Sequence, residues 1–169
     1  MIGSMRTSEM GGGGEMRAPS ERLREMGIEL PPPPGAVAAY VPARREGRLV
    51  WTSGQLPFEG GAIPTTGRLG AEVSLDDGYR AARQSALNAM AVAAAAVGGV
   101  DALEAVIKVV GFVQSSPDFY DQPKVVNGAS EILQEIFGDE GRHARSAVGV
   151  SALPLNAPVE IEVVFRIRA

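Results

Sequence analysis

Residues 144–163, ARSAVGVSALPLNAPVEIEV, constrain the fold more than any other stretch of the chain. Side chains of a strand alternate between two faces. Read that way, Arg145, Ala147, Gly149 and Ser151 share one face, and Ser146, Val148, Val150 and Ala152 share the other. The pattern predicts two strands joined by a Pro-containing loop, with the Val148 face turned to the core. The Arg145 face is then a lone cation over a shallow floor of small residues, a shape that leaves room for a ligand. In the second strand Glu160 and Glu162 alternate with Val159 and Ile161, so both carboxylates leave the core face.

The rest of the chain supplies the layers around these strands. Residues 74–99 read as a helix: Ser74 caps it, Asp76 and Asp77 suit the positive end of its dipole, and Gly98–Gly99 stops it. Leu87, Met90, Ala91 and Ala94 form its apolar stripe, and its many alanines predict close packing on a sheet. Residues 122–138 give a second helix, with Val126, Ile132, Leu133 and Ile136 on one face and Gly138 at its end. Between them, residues 102–116 are apolar and β-rich, the mark of a central strand. Residues 36–43 and 47–56 read as a hairpin turning at Glu46–Gly47, and 57–73 as a loop rich in glycine and proline.

The predicted order is β-β-α-β-α-β-β. It describes an α+β domain of two layers, a mixed β-sheet with two helices on one face, spanning residues 36–169. The other face also carries valine and isoleucine, and a second copy of the chain is the simplest cover for it, so an oligomer is expected. Before the domain, residues 1–19 include four consecutive glycines and are expected to be disordered. Residues 20–35 are expected to hold a short helix, capped by Ser20 with Leu23 and Met26 on one face, and then a proline-rich spacer.

Composition removes several classes of function. There is no cysteine and a single histidine, His143, so thiol chemistry, cysteine-ligated metal and histidine pairs are excluded and no metal site is expected. The net charge is −4 and no basic run is long enough for a nucleic-acid surface. No apolar run is long enough to span a bilayer, and the expected location is cytoplasmic.

The segments TSGQL (52–56), DDGYRAARQSALNAM (76–90), VVGFVQSSPDF (109–119), NGASEILQEIFG (127–138) and ARSAVGVSALPLNAPVEIEV (144–163) together resemble the reactive intermediate deaminase family, also called YjgF-like or endoribonuclease L-PSP. The resemblance covers residues 36–169. It implies a chorismate-mutase-like fold, a homotrimer with ligand clefts between subunits, and no cofactor. It also implies hydrolysis of reactive enamines and imines, such as 2-aminoacrylate and 2-aminocrotonate, to 2-keto acids and ammonia. Carried over residue by residue, it implies that Arg145 binds the substrate carboxylate and Glu160 orients water, with Tyr40, Gly54 and Asn127 binding substrate. Three features set this chain apart: His143 two residues before Arg145, extra residues between Phe119 and Asn127, and the N-terminal piece with its prolines.

Each assignment has a plainer counterpart. Arg145 presents a planar fork that matches a carboxylate, but it also suits a structural ion pair with Glu160 or Glu162. Glu160 suits a water-orienting role or a solvated strand face; Glu162 suits the latter. Tyr40 suits a ring closing over ligand or a buried aromatic, Asn127 a ligand contact or a helix N-cap, and Gly54 a close backbone approach or a simple turn. His143 suits a proton donor or a structural hydrogen bond at the strand's start. A trimer that binds small carboxylates without turnover is the alternative function. A ribonuclease conflicts with the acidic charge and the single histidine. A chorismate mutase conflicts with a motif that offers one arginine to a dianion.

Overall fold

Ser74 begins the long helix as its position demands: its hydroxyl accepts the Asp77 N–H at 3.1 Å and donates to the Asp77 carboxylate at 2.7 Å. The computed structural model describes residues 17–33 and 39–169. In it helix α2 spans Leu75–Val97 and ends at Gly98 in the left-handed conformation, where a residue without Cβ carries no penalty. Helix α3 spans Gln122–Phe137. Their stripes are buried as the periodicity requires: Leu87, Met90, Ala91 and Ala94 on α2, and Val126, Ile132, Leu133 and Ile136 on α3.

Both helices pack on one face of a five-stranded sheet in the order β1-β2-β5-β3-β4, where β1 is Ala43–Glu46, β2 Leu49–Thr52, β3 Leu103–Gln114, β4 Ala144–Val150 and β5 Val159–Ile167. Only β3 and β4 pair in parallel, joined through α3, and the other pairs are antiparallel. The α+β class, the mixed sheet and the central place of β3 therefore agree with the sequence reading. The core lies between the layers, on Val50, Val109, Val113, Ile161, Val163 and Phe165, with the Phe165 and Phe137 rings 6.0 Å apart.

Four expectations need correction. The first strand is Ala43–Glu46 and not residues 36–43; residues 36–38 lie outside the described residues, and 39–42 form a turn and bend. Pro42 has no N–H for a ladder. It offers its carbonyl to Ser53 N at 2.8 Å, and pairing starts one residue later, at Ala43 with Thr52. The hairpin turns at Gly47–Arg48, with Gly47 at φ +59°. Ser20 is not an N-cap: helix α1, Pro19–Glu25, has Pro19 at its first position. Ser20 instead gives its N–H and hydroxyl to the Asp101 carboxylate at 2.9 and 2.7 Å. Disorder was expected over residues 1–19: 1–16 lie outside the described residues, while Pro19 is buried at the start of α1.

The fourth correction concerns β4. It is an edge strand, and its Val148 face is the one without helices, with Val148 44% exposed. The Arg145 face is the one that meets α3, and Ala147 packs against the core there. Hydrophobicity alone misassigned the faces, because a valine next to a bare sheet face looks like a core valine. Helix α1 also belongs to the packed body: Leu23 is in the core, and Met26, Ile28 and Leu30 pack against it.

Candidate functional site

Arg145 does not stand upright on the sheet. Its side chain lies along α3: Nη1 donates to Asn127 Oδ1 at 2.8 Å and to Ser130 Oγ at 3.1 Å, and Nη2 donates to the Pro123 carbonyl at 3.3 Å. Positions 123, 127 and 130 are spaced four and three residues apart, so one helix face presents all three acceptors. None of them is charged, and among the described residues no carboxylate lies within ion-pair distance of Arg145. The structural ion pair with Glu160 or Glu162 is thus ruled out within one chain. Among the described residues the Nε–H and one Nη2–H of Arg145 have no partner.

Asn127 is not an N-cap. The cap position is Asp121, and Asn127 lies in the second turn of α3, where its side chain aims Arg145.

Glu160 belongs to the other face of the sheet. It is half-buried beside Phe112 of β3, on the side without helices. Its side chain lies on Gly54, where a Cβ would overlap the Glu160 carboxyl group. Gly54 therefore gives the Glu160 side chain room. Tyr40 lies in the bend before β1, whose next two residues, Val41 and Pro42, give their carbonyls to Ser53, next to Gly54. Tyr40 is 63% exposed, so it is not the buried aromatic of the plainer reading.

The structure thus divides the predicted residues into two groups. Arg145 and Asn127 meet on the helix face of edge strand β4. Glu160 and Gly54 meet on the opposite face, with β3 between the two groups, and Tyr40 lies in the bend before β1. One chain carries two halves that it does not join.

Burial pushes the Glu160 carboxyl above the usual carboxylate range, and the nearby Glu162 charge adds to the effect. A raised folded-state value means that the fold favours the protonated acid, so stability falls as pH rises through that value. Glu160→Gln is therefore expected to raise the melting temperature at pH 7, with the gain shrinking as pH falls into the carboxylate range. Thermal melts of both proteins across that range check it.

The profile of the family described as "YjgF/chorismate_mutase-like, putative endoribonuclease" matches residues 20–166. The chain belongs to this family. It is similar to "Protein TCP17" of Trypanosoma cruzi, with 40% identity over 146 residues, 86% of this chain and 91% of that one. It is also similar to the Escherichia coli protein "Putative reactive intermediate deaminase TdcF", with 32% identity over 81% of this chain and 93% of that one. Among solved structures, the Agrobacterium tumefaciens protein Atu1372, described as of unknown function, shares 43% identity at a TM-score of 0.82, over 89% of this chain and 92% of that one.

His143 lies just before β4. Its Nδ1 lies 3.1 Å from the Ala144 carbonyl. Burial holds its pKa below the usual histidine value; the Ala144 hydrogen bond opposes this, and Arg145 and Lys108 add to it. A shallow hollow of about 280 Å3, lined by Ser130, Gln134, Gly141, Arg142, His143 and Arg145, lies at the end of α3 where β4 begins. The Arg145 head group, in contrast, reaches toward the first turn of α3. Ser130 and the Pro123 carbonyl were missed in the sequence. A helical wheel of α3 with Asn127 as reference would have found them.

Proposed function

We propose that this YjgF-family chain hydrolyses reactive 2-imino acids and their enamine tautomers to 2-keto acids and ammonia, in a cleft shared by two copies within a homotrimer. The observation that carries the reading is the state of Arg145: a guanidinium aimed by three neutral acceptors, with one side of its fork unused. Such a group matches the carboxylate beside the imine carbon. Two related facts support the reading. The relative TdcF of E. coli is named as a reactive intermediate deaminase, and the structure of E. coli TdcF, 28% identical at a TM-score of 0.58, contains bound serine, a small carboxylate.

In the reaction, Arg145 holds the substrate carboxylate and fixes the imine carbon in place; positioning of this kind lowers a barrier by several kcal/mol. Water adds its oxygen to that carbon, the C–N bond breaks, and nitrogen leaves as ammonia. Glu160 of a neighbouring copy accepts a hydrogen bond from the attacking water, with Gly54 giving the carboxylate room. The bare sheet face supplies the means of assembly: Trp51 on β2 is 53% exposed and Val148 on β4 is 44% exposed.

The test generates 2-aminocrotonate with threonine dehydratase and traps residual imine with semicarbazide. Added protein should lower the trapped fraction. Protein carrying Arg145→Ala, or Glu160→Gln, should not. Because each cleft needs Arg145 from one copy and Glu160 from another, subunits of the two variants, mixed by co-refolding, should recover activity in roughly a quarter of the clefts. Wild-type protein that binds 2-ketobutyrate but leaves trapping unchanged would instead mark a binding protein without turnover.

A further inference from the structure

Charge is unevenly divided around Arg145. Positions 123, 127, 130 and 134 of α3 are spaced four, three and four residues apart and form one stripe, Pro123, Asn127, Ser130 and Gln134, which carries no charge. The acids of the same helix are turned to α2 instead: Glu131 accepts the Tyr79 hydroxyl at 2.6 Å, and Glu135 lies 3.8 Å from the Arg83 guanidinium. The Arg145 Nη1 that bonds Asn127 also bonds Ser130, and Ser130 is a wall of the hollow that Arg145 itself lines. Gln134, Gly141, Arg142 and His143 complete that hollow. Among the described residues no carboxylate lines it, whereas two guanidiniums do, Arg142 and Arg145.

Gly141 places the second guanidinium. It is buried, and a Cβ there would sit 2.7 Å from the Gln134 Cα and from the Leu133 carbonyl, so glycine lets the chain lie against α3 and brings Arg142 to the hollow. Arg142 is loosely held: its Nε lies 3.6 Å from the Asp139 carboxylate, the two side chains are 73% and 95% exposed, and Asp139 is not part of the hollow. Arg142 and Arg145 are three residues apart, about 10 Å in extended backbone, so two long side chains can meet one short ligand. We infer that the preferred substrates are 2-imino acids whose side chain ends in a second carboxylate. Arg145 takes the carboxylate beside the imine carbon, and Arg142 takes the one at the end of the side chain. This rests on the carboxylate role of Arg145 proposed above, but not on turnover. The second pairing is an exposed one, so its effect is modest and depends on salt.

Calorimetry on the full chain tests it with two 2-keto acids of the same carbon chain, 2-oxoglutarate and 2-oxopentanoate, which differ in the terminal carboxylate. The diacid is expected to bind about fivefold more tightly at low ionic strength, the size of one exposed ion pair, and the ratio should shrink as salt is added. Arg142→Gln should bring the ratio to about one, and the exposure of that side chain leaves the fold intact. Asp139→Asn should raise the ratio, because it removes the carboxylate that competes for Arg142. Equal affinity for the two acids in the wild type, or a ratio that survives Arg142→Gln, would overturn the inference. Failure of both acids to bind would overturn it together with the role of Arg145. If the ratio behaves as stated while no imine is hydrolysed, the deaminase reading falls and the diacid preference stands; if imines are hydrolysed and the ratio is one, the reverse is true.

Discussion

Arg145→Ala is expected to weaken 2-keto acid binding and imine turnover by about 10²–10⁴-fold, while lowering stability by only about 1 kcal/mol. The functional loss follows from removing two charge-assisted hydrogen bonds, each about 1.5–3 kcal/mol. The stability loss is small because the acceptors given up, Asn127 Oδ1, Ser130 Oγ and the Pro123 carbonyl, belong to residues that are at least partly exposed, so water takes the place of the lost donor. Arg145→Lys keeps the charge and loses the fork, so it should fall between wild type and alanine in affinity. Calorimetry with 2-ketobutyrate alongside urea unfolding checks both sides. A large loss of stability with little loss of binding would show that Arg145 serves to hold α3 on the sheet.

Gly128→Ala should have the largest structural effect. A Cβ at this position would overlap the Tyr79 carbonyl and come within 3.1 Å of the Arg83 amide, both on α2. These are backbone atoms, and they cannot rotate away as a side chain would. Overpacking usually costs about 1–3 kcal/mol, and contact with a rigid helix backbone places this change at or above the upper end. The helices would have to separate, and α3 carries Asn127 and Ser130, which aim Arg145, so binding should weaken along with stability. Urea unfolding gives the first effect and 2-keto acid titration below the transition gives the second. A neutral substitution would mean that the α2–α3 contact is looser than the structure has it.

Much of the architecture was readable in the chain because local rules and global packing agree in it. The two long helices have capping residues, stripes and stops that point to one answer, and β3 is an apolar run bounded by turn residues. The first hairpin was misplaced because its strands are short and Pro42 moves the ladder by several residues. The short helix α1 was set outside the domain because its few apolar residues gave no sign of what they would meet. Asn127 was read as a cap because the start of α3 was placed five residues late for that purpose, although the helix itself was expected from residue 122.

The sequence by itself determined the residue types and their alternation: Arg145 opposite in phase to Val148, Glu160 opposite in phase to Ile161. Alternation says which residues share a face. It does not say which face receives the helices, since both orientations satisfy the same pattern. That choice came from the packing of α2 and α3 on Val109, Val113 and Ile161, which put Arg145 against α3 and left Val148 and Glu160 on the bare side. The same packing aimed the arginine. Its acceptors at 123, 127 and 130 are unremarkable polar groups in sequence, and only the docking of α3 on β3 and β4 brings them to one guanidinium.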